Sequence, residues 1–89
     1  MSEVEVQIVN RLGLHARAAA RFVHLANSFK SRIIVVKADS RVDGKSILGL
    51  LTLAASKGTR LRLSADGEDE QEALGSLVKL VRERFGEES

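Results

Sequence analysis

Apolar residues recur along this chain with two different periods, and the order in which those periods alternate restricts the fold more than any other feature. Val4, Val6 and Ile8 alternate with Glu3, Glu5 and Gln7, the period of a strand with one buried face. Asn10-Arg11-Leu12-Gly13 breaks it. From Ala16 to Phe29 the period changes: Ala19, Phe22, Val23, Ala26 and Phe29 recur at three and four residues, with polar residues between, as on an amphipathic helix. Ile33-Ile34-Val35-Val36 is short and β-branched, a strand signal. After the Asp39-Ser40 turn, Arg41-Val42 continues as a second short strand up to Asp43-Gly44. Ser46 then stands at an N-cap position before the apolar run Ile47–Leu53, which reads as a short helix. Leu61, Leu63 and Ala65 alternate with Arg60, Arg62 and Ser64 as a further strand, closed by Asp66-Gly67. The last helix runs from Asp69 to Phe85 with Leu74, Leu77, Val78, Val81 and Phe85 on one stripe. Its start is acidic, its end is basic, and Gly86 lies just past it.

The order is therefore β-α-β-β-α-β-α. Strands with one polar face suit an antiparallel sheet with one open side, so helices on the other side predict a two-layer α+β sandwich. Eighty-nine residues suffice for one domain spanning 1–89. Apolar residues make up 44% and charged residues 29%, a globular composition. With no cysteine there are no disulfides and no thiolate metal sites. No apolar run approaches the roughly 20 residues that span a bilayer. The opening MSEVEVQIVN has two Glu and no basic residue, so it does not read as a secretory signal. The expectation is a cytoplasmic protein with no membrane insertion.

Charge is unevenly placed. Residues 11–62 hold 11 Lys or Arg against Asp39 and Asp43, whereas residues 63–89 hold 8 acidic against 3 basic residues. A basic middle points to an anionic partner, either nucleic acid or an acidic protein surface. Nucleic-acid modules interleave aromatics among basic residues for base stacking. The only aromatics here are Phe22, Phe29 and Phe85, so the pattern argues against nucleic acid.

Chemistry concentrates at Gly13-Leu14-His15-Ala16-Arg17, between a strand and the first turn of a helix. That turn has backbone N–H groups without intrahelical partners and a partial positive charge, an anion-binding combination. Imidazole can act as a nucleophile toward phosphorus, and a guanidinium can hold phosphoryl oxygens. The alternative is that His15 merely caps the helix. Ser46 likewise has two readings, an ordinary N-cap or a phosphorylation site whose negative charge the helix start would stabilise. His24 reads as an exposed helix residue. No metal-ligand spacing, P-loop, dinucleotide fingerprint or catalytic triad is present, and no cofactor is expected.

With Ala19-Ala20 following, Gly13–Arg17 resembles the active-site signature of the HPr family, the histidine-containing phosphocarriers of the phosphoenolpyruvate-dependent sugar phosphotransferase system. Gly44-Lys45-Ser46-Ile47-Leu48-Gly49-Leu50 resembles the family's second signature, around its regulatory serine. The resemblance extends over essentially the whole chain. It implies an open-faced sandwich with a four-stranded antiparallel sheet and three helices on one face. It implies that His15 accepts a phosphoryl group on Nδ1 from phospho-enzyme I and passes it to an EIIA component, forming a phosphohistidine rather than acting as an enzyme. Arg17 would contact the phosphoryl group. Ser46 would be a phosphoserine made by HPr kinase/phosphorylase where that enzyme exists. Ile47, Leu48 and Leu51 match a partner-docking surface, and a monomer is expected of such a carrier. Two positions depart from the pattern: Ala18 replaces the family's proline, and Leu12 stands where a polar residue is usual. A regulatory paralogue, serving a nitrogen-related branch or a kinase without sugar transport, is the other reading.

Overall fold

The computed structural model describes residues 1–89. Its elements are β1 (Ser2–Gln7), α1 (Ala16–Ala26), β2 (Arg32–Lys37), β3 (Ser40–Asp43), α2 (Ile47–Thr52), β4 (Arg60–Asp66) and α3 (Glu70–Arg82). A single turn of 3-10 helix, Arg84–Gly86, follows. The strands form one sheet in the order β1-β4-β2-β3, antiparallel throughout. The expected four-stranded open sheet with helices on one face is therefore what the chain forms.

Period-two alternation decides which face of the sheet is covered. In register, Val6 faces Leu61, and Leu63 lies between Val4 and Val35. Val6, Ile33, Val35, Leu61, Leu63 and Ala65 are buried under the helices. On the open face Arg60 reaches Glu5 at 3.5 Å and Arg62 reaches Glu3 at 3.6 Å. These pairs are exposed, so they add little stability and chiefly keep the face polar. Helical spacing supplies the other layer. Ala19, Phe22, Val23 and Ala26 from α1, Leu50 from α2, and Ala73, Leu74, Leu77 and Val81 from α3 join the strand residues in one core.

Both long helices stop short of their expected ends. The α1 helix ends at Ala26, where Asn27 caps it and the Ser28 hydroxyl donates to the Leu25 carbonyl at 2.6 Å. Phe29 is consequently only half-buried. The α3 helix ends at Arg82, and Arg84 and Phe85 then adopt left-handed backbone with φ of 58° and 55°. Each such residue costs about 1–2 kcal/mol. Burying the Phe85 ring returns up to about 3 kcal/mol, of the same order as the cost of the pair. The turn also sends the following residues back toward the start of α1. At the opposite end, Asp69 does not cap its own helix. Its carboxylate accepts from the Ser31 hydroxyl and from the Lys30 and Ser31 N–H groups, which holds its pKa below the usual value.

Candidate functional site

His15 owes its position to the loop before it. Asn10 is fully buried and its side-chain amide donates to the Gly13 carbonyl at 2.7 Å. Gly13 has φ of +69°, and a Cβ there would lie 2.5 Å from the Ala55 carbonyl oxygen, so only glycine fits without displacement. That close approach lets the Leu14 N–H donate to the Ala55 carbonyl at 2.8 Å, with the Leu14 side chain buried. The loop is thus fastened on both sides immediately before His15, which is the N-cap of α1.

Both ring nitrogens of His15 are engaged, in opposite senses. The Arg17 N–H donates to Nδ1 at 3.3 Å, a long and weak bond. On the other side Nε2 meets the Glu87 carboxylate. A donor N–H at Nδ1 and a carboxylate at Nε2 assign one neutral tautomer: the proton sits on Nε2 and the lone pair on Nδ1. Burial alone would raise the pKa of Glu87. Hydrogen bonds from Asn10 and His15 and the nearby Arg17 charge outweigh it, so the Glu87 pKa lies below the usual carboxylate value. Asn10 donates to its second oxygen at 3.0 Å.

The surroundings of Nδ1 suit an anion. The first intrahelical bond is Ala19 N–H to the His15 carbonyl at 2.8 Å, and the Ala16 and Ala18 N–H groups have no partner in the protein. Arg11, Arg17 and Arg21 line an open cleft of about 290 Å³ together with Glu87 and Glu88. Arg21 donates to the Phe85 carbonyl, which fastens the C-terminal segment to α1. On the other side a smaller apolar hollow is bordered by Leu12, Leu14, His15 and Ala55. Leu12 is exposed there and Ala18 is buried.

Ser46 is the N-cap of α2, as its place before Ile47 predicts, and its Oγ accepts from the Gly49 N–H at 3.0 Å. Its own N–H donates to the Asp43 carbonyl at 3.1 Å, and Gly44 between them packs so closely that a Cβ there would lie 2.5 Å from Ile33 Cγ2. Beyond it Ile47 is 42% exposed and Leu48 75%, large values for such side chains, while Leu51 is half-buried against the core. His24 is exposed in the last turn of α1. No three His, Asp or Glu side chains gather closely enough to hold a metal ion, and no helix is long and apolar enough to cross a membrane.

Two residues of the His15 site, Asn10 and Glu87, escaped the sequence reading. Asn10 figured there only as part of a strand break, and Glu87 only as part of an acidic tail. Neither is near His15 by any helical or strand period, since 72 residues separate Glu87 from the ring it touches.

Fold and site together define a class: a small open-faced α+β sandwich that displays one histidine at a helix start and encloses no substrate cavity. The chain belongs to the HPr family, the phosphocarriers of the phosphotransferase system. Residues 2–83 match the family described as "PTS HPr component phosphorylation site". The phosphocarrier protein HPr of Neisseria meningitidis serogroup A is 52% identical over 87 residues, 98% of each chain. That of Pseudomonas aeruginosa is 50% identical over 88 residues, again 98% of each. A crystal structure of HPr from Thermoanaerobacter tengcongensis superposes with a TM-score of 0.96 at 48% identity, covering 100% of both chains.

Proposed function

We propose that Nδ1 of His15 receives a phosphoryl group from phospho-enzyme I and delivers it to an EIIA component. The observation that carries this reading is the division of labour on the ring. Nε2 is committed to Glu87, while Nδ1 keeps its lone pair and meets only a long N–H contact at a helix start. In the forward step the Nδ1 lone pair bonds to phosphorus as the bond from phosphorus to enzyme I breaks. Nε2 keeps its proton throughout. The arriving phosphoryl oxygens meet the free Ala16 and Ala18 N–H groups and the Arg17 side chain. Ala18 supplies an N–H that proline lacks, so its presence here is compatible with the reaction. The nucleophile of EIIA then attacks the same phosphorus and His15 regains its lone pair.

Ser46 is the regulatory position in this reading. A phosphate on its oxygen would still face the first N–H groups of α2, and it would set negative charge beside the exposed Ile47 and Leu48. With Leu51 these residues form the docking surface, and the basic residues between 11 and 62 steer acidic partners toward it. The 89 residues serve as one cytoplasmic, monomeric carrier domain.

The test is incubation with phosphoenolpyruvate and enzyme I, read by intact mass before and after mild acid. One acid-labile phosphoryl group, absent from His15→Ala, is the expected result. No transfer from an enzyme I that loads its own carrier would overturn the proposal.

A further inference from the structure

The C-terminal segment is built around one contact that the phosphocarrier reading does not by itself require. After α3 the left-handed pair Arg84 and Phe85 reverses the chain, and Phe85 anchors the reversal in the core. Arg21 holds the Phe85 carbonyl. The Glu87 N–H donates to the Arg84 carbonyl at 2.9 Å, and Arg84 Nε donates back to the Glu87 carbonyl at 3.2 Å. Buried Asn10, itself tied to Gly13, donates to one carboxylate oxygen at 3.0 Å. The other oxygen is left for His15 Nε2. The Glu87 side chain is only 12% exposed although it lies in a terminal segment. A surface glutamate ordinarily moves freely, and this one is fixed by its own backbone, by Asn10 and by the ring.

We propose that Glu87 is a positioning residue for phosphoryl transfer, acting through His15. The role rests on His15 being the phosphoryl acceptor. A carboxylate at the far nitrogen of an imidazole holds the tautomer that frees the near nitrogen, and it stabilises the positive charge the ring gains on forming its new bond. Here Nδ1 bonds to phosphorus, Nε2 keeps its proton, and the ring becomes cationic beside Glu87. In the return step the same cationic ring is the better leaving group, because it departs as neutral imidazole. Glu87 therefore supports both directions without touching the phosphoryl group. The charged groups near the ring are Glu87 itself, which touches it, and Arg17 from α1, Arg11 from the preceding loop, Arg21 and Glu88, which line the same cleft as Glu87.

The test compares wild type with Glu87→Ala and Glu87→Gln in three readouts. Ring 15N shifts of the unphosphorylated protein report the tautomer, stopped-flow loading from phospho-enzyme I reports acceptance, and decay of the phosphorylated form across pH reports the protonated ring. Glu87→Ala is expected to load about 10-fold more slowly and to lose the exchange-protected Nε2 proton signal. Its phosphorylated form should outlive the wild type at pH 8, because the ring gives up its Nε2 proton more readily. Glu87→Gln keeps an acceptor for Nε2, so it should restore the tautomer but only part of the rate. Equal loading and equal decay in all three proteins, even with a lowered melting temperature in the variants, would overturn the role of Glu87 alone. Failure of the wild type to load would remove the phosphocarrier reading and this role with it.

Discussion

Two helices of this protein start in the same way and are equipped differently. At α1 the cap is His15, which accepts from Arg17 N–H at 3.3 Å, and at α2 it is Ser46, which accepts from Gly49 N–H at 3.0 Å. Each follows a glycine that packs too closely for a side chain, Gly13 against Ala55 and Gly44 against Ile33. The Ser46 cap is local: donor and acceptor lie three residues apart, and nothing distant touches its oxygen. The His15 cap is weaker as a cap but its far nitrogen is held by Glu87, 72 residues away, which Asn10 in turn holds. A capping residue that matters only for its helix needs a short bond and no support. Distant support that fixes a ring, together with a loose bond at its free nitrogen, is the arrangement of a group prepared to react.

Substitutions can break this comparison from either side. The largest effect after loss of His15 itself is expected at Arg17, whose N–H meets Nδ1 and which lines the open cleft with Glu87. Arg17→Ala should slow phosphoryl acceptance by roughly 10- to 100-fold, the worth of one charge-assisted contact, with little change in melting temperature. Rapid-quench loading assays measure it, and an unchanged rate would remove Arg17 from the site. Ser46→Ala should do the reverse. It should lower unfolding stability by about 1 kcal/mol in urea titrations, the usual worth of a serine cap, while leaving acceptance at His15 intact. A slowed acceptance instead would mean that the two helix starts are not independent.

The smallest effect lies away from both. Asp69 has its folded-state pKa lowered, first by the Ser31 hydroxyl and then by the Lys30 N–H, from an ordinary value near 3.8. A lowered folded value contributes stability that is fully present above the unfolded pKa and is lost as pH falls through the folded one. Wild type should therefore lose melting temperature more steeply than Asp69→Asn as pH drops below about 3.8. Parallel acid melting curves for the two proteins would show that Asp69 carries no such contribution.

The readable parts of the molecule were those governed by short spacing. Strand alternation at Val4–Ile8 and Leu61–Ala65, helical spacing in α1 and α3, and the cap at Ser46 depend on neighbours within four residues, and all appear in the structure. The end of α3 was not readable. Phe85 continues the stripe of Val78 and Val81, so a longer helix and a left-handed turn both bury its ring, and periodicity does not separate them. The structure uses the turn, and that choice brings Glu87 to His15. His15 and Arg17 stood out because a helix start is a local signal. Asn10 and Glu87 did not, because their function lies in contacts across the fold, and a buried asparagine in a turn looks like any other turn residue.

One nitrogen of His15 decides the chemistry. Protein labelled with 15N and phosphorylated by phosphoenolpyruvate and enzyme I can be read by 31P–15N coupling, which identifies the atom bonded to phosphorus. The expected spectrum has phosphorus coupled to Nδ1 of His15 alone, with Nε2 still protonated and Ser46 unmodified. Phosphorus on Nε2, or on Ser46 in this reaction, would contradict the assignment of His15 Nδ1 as the acceptor from enzyme I.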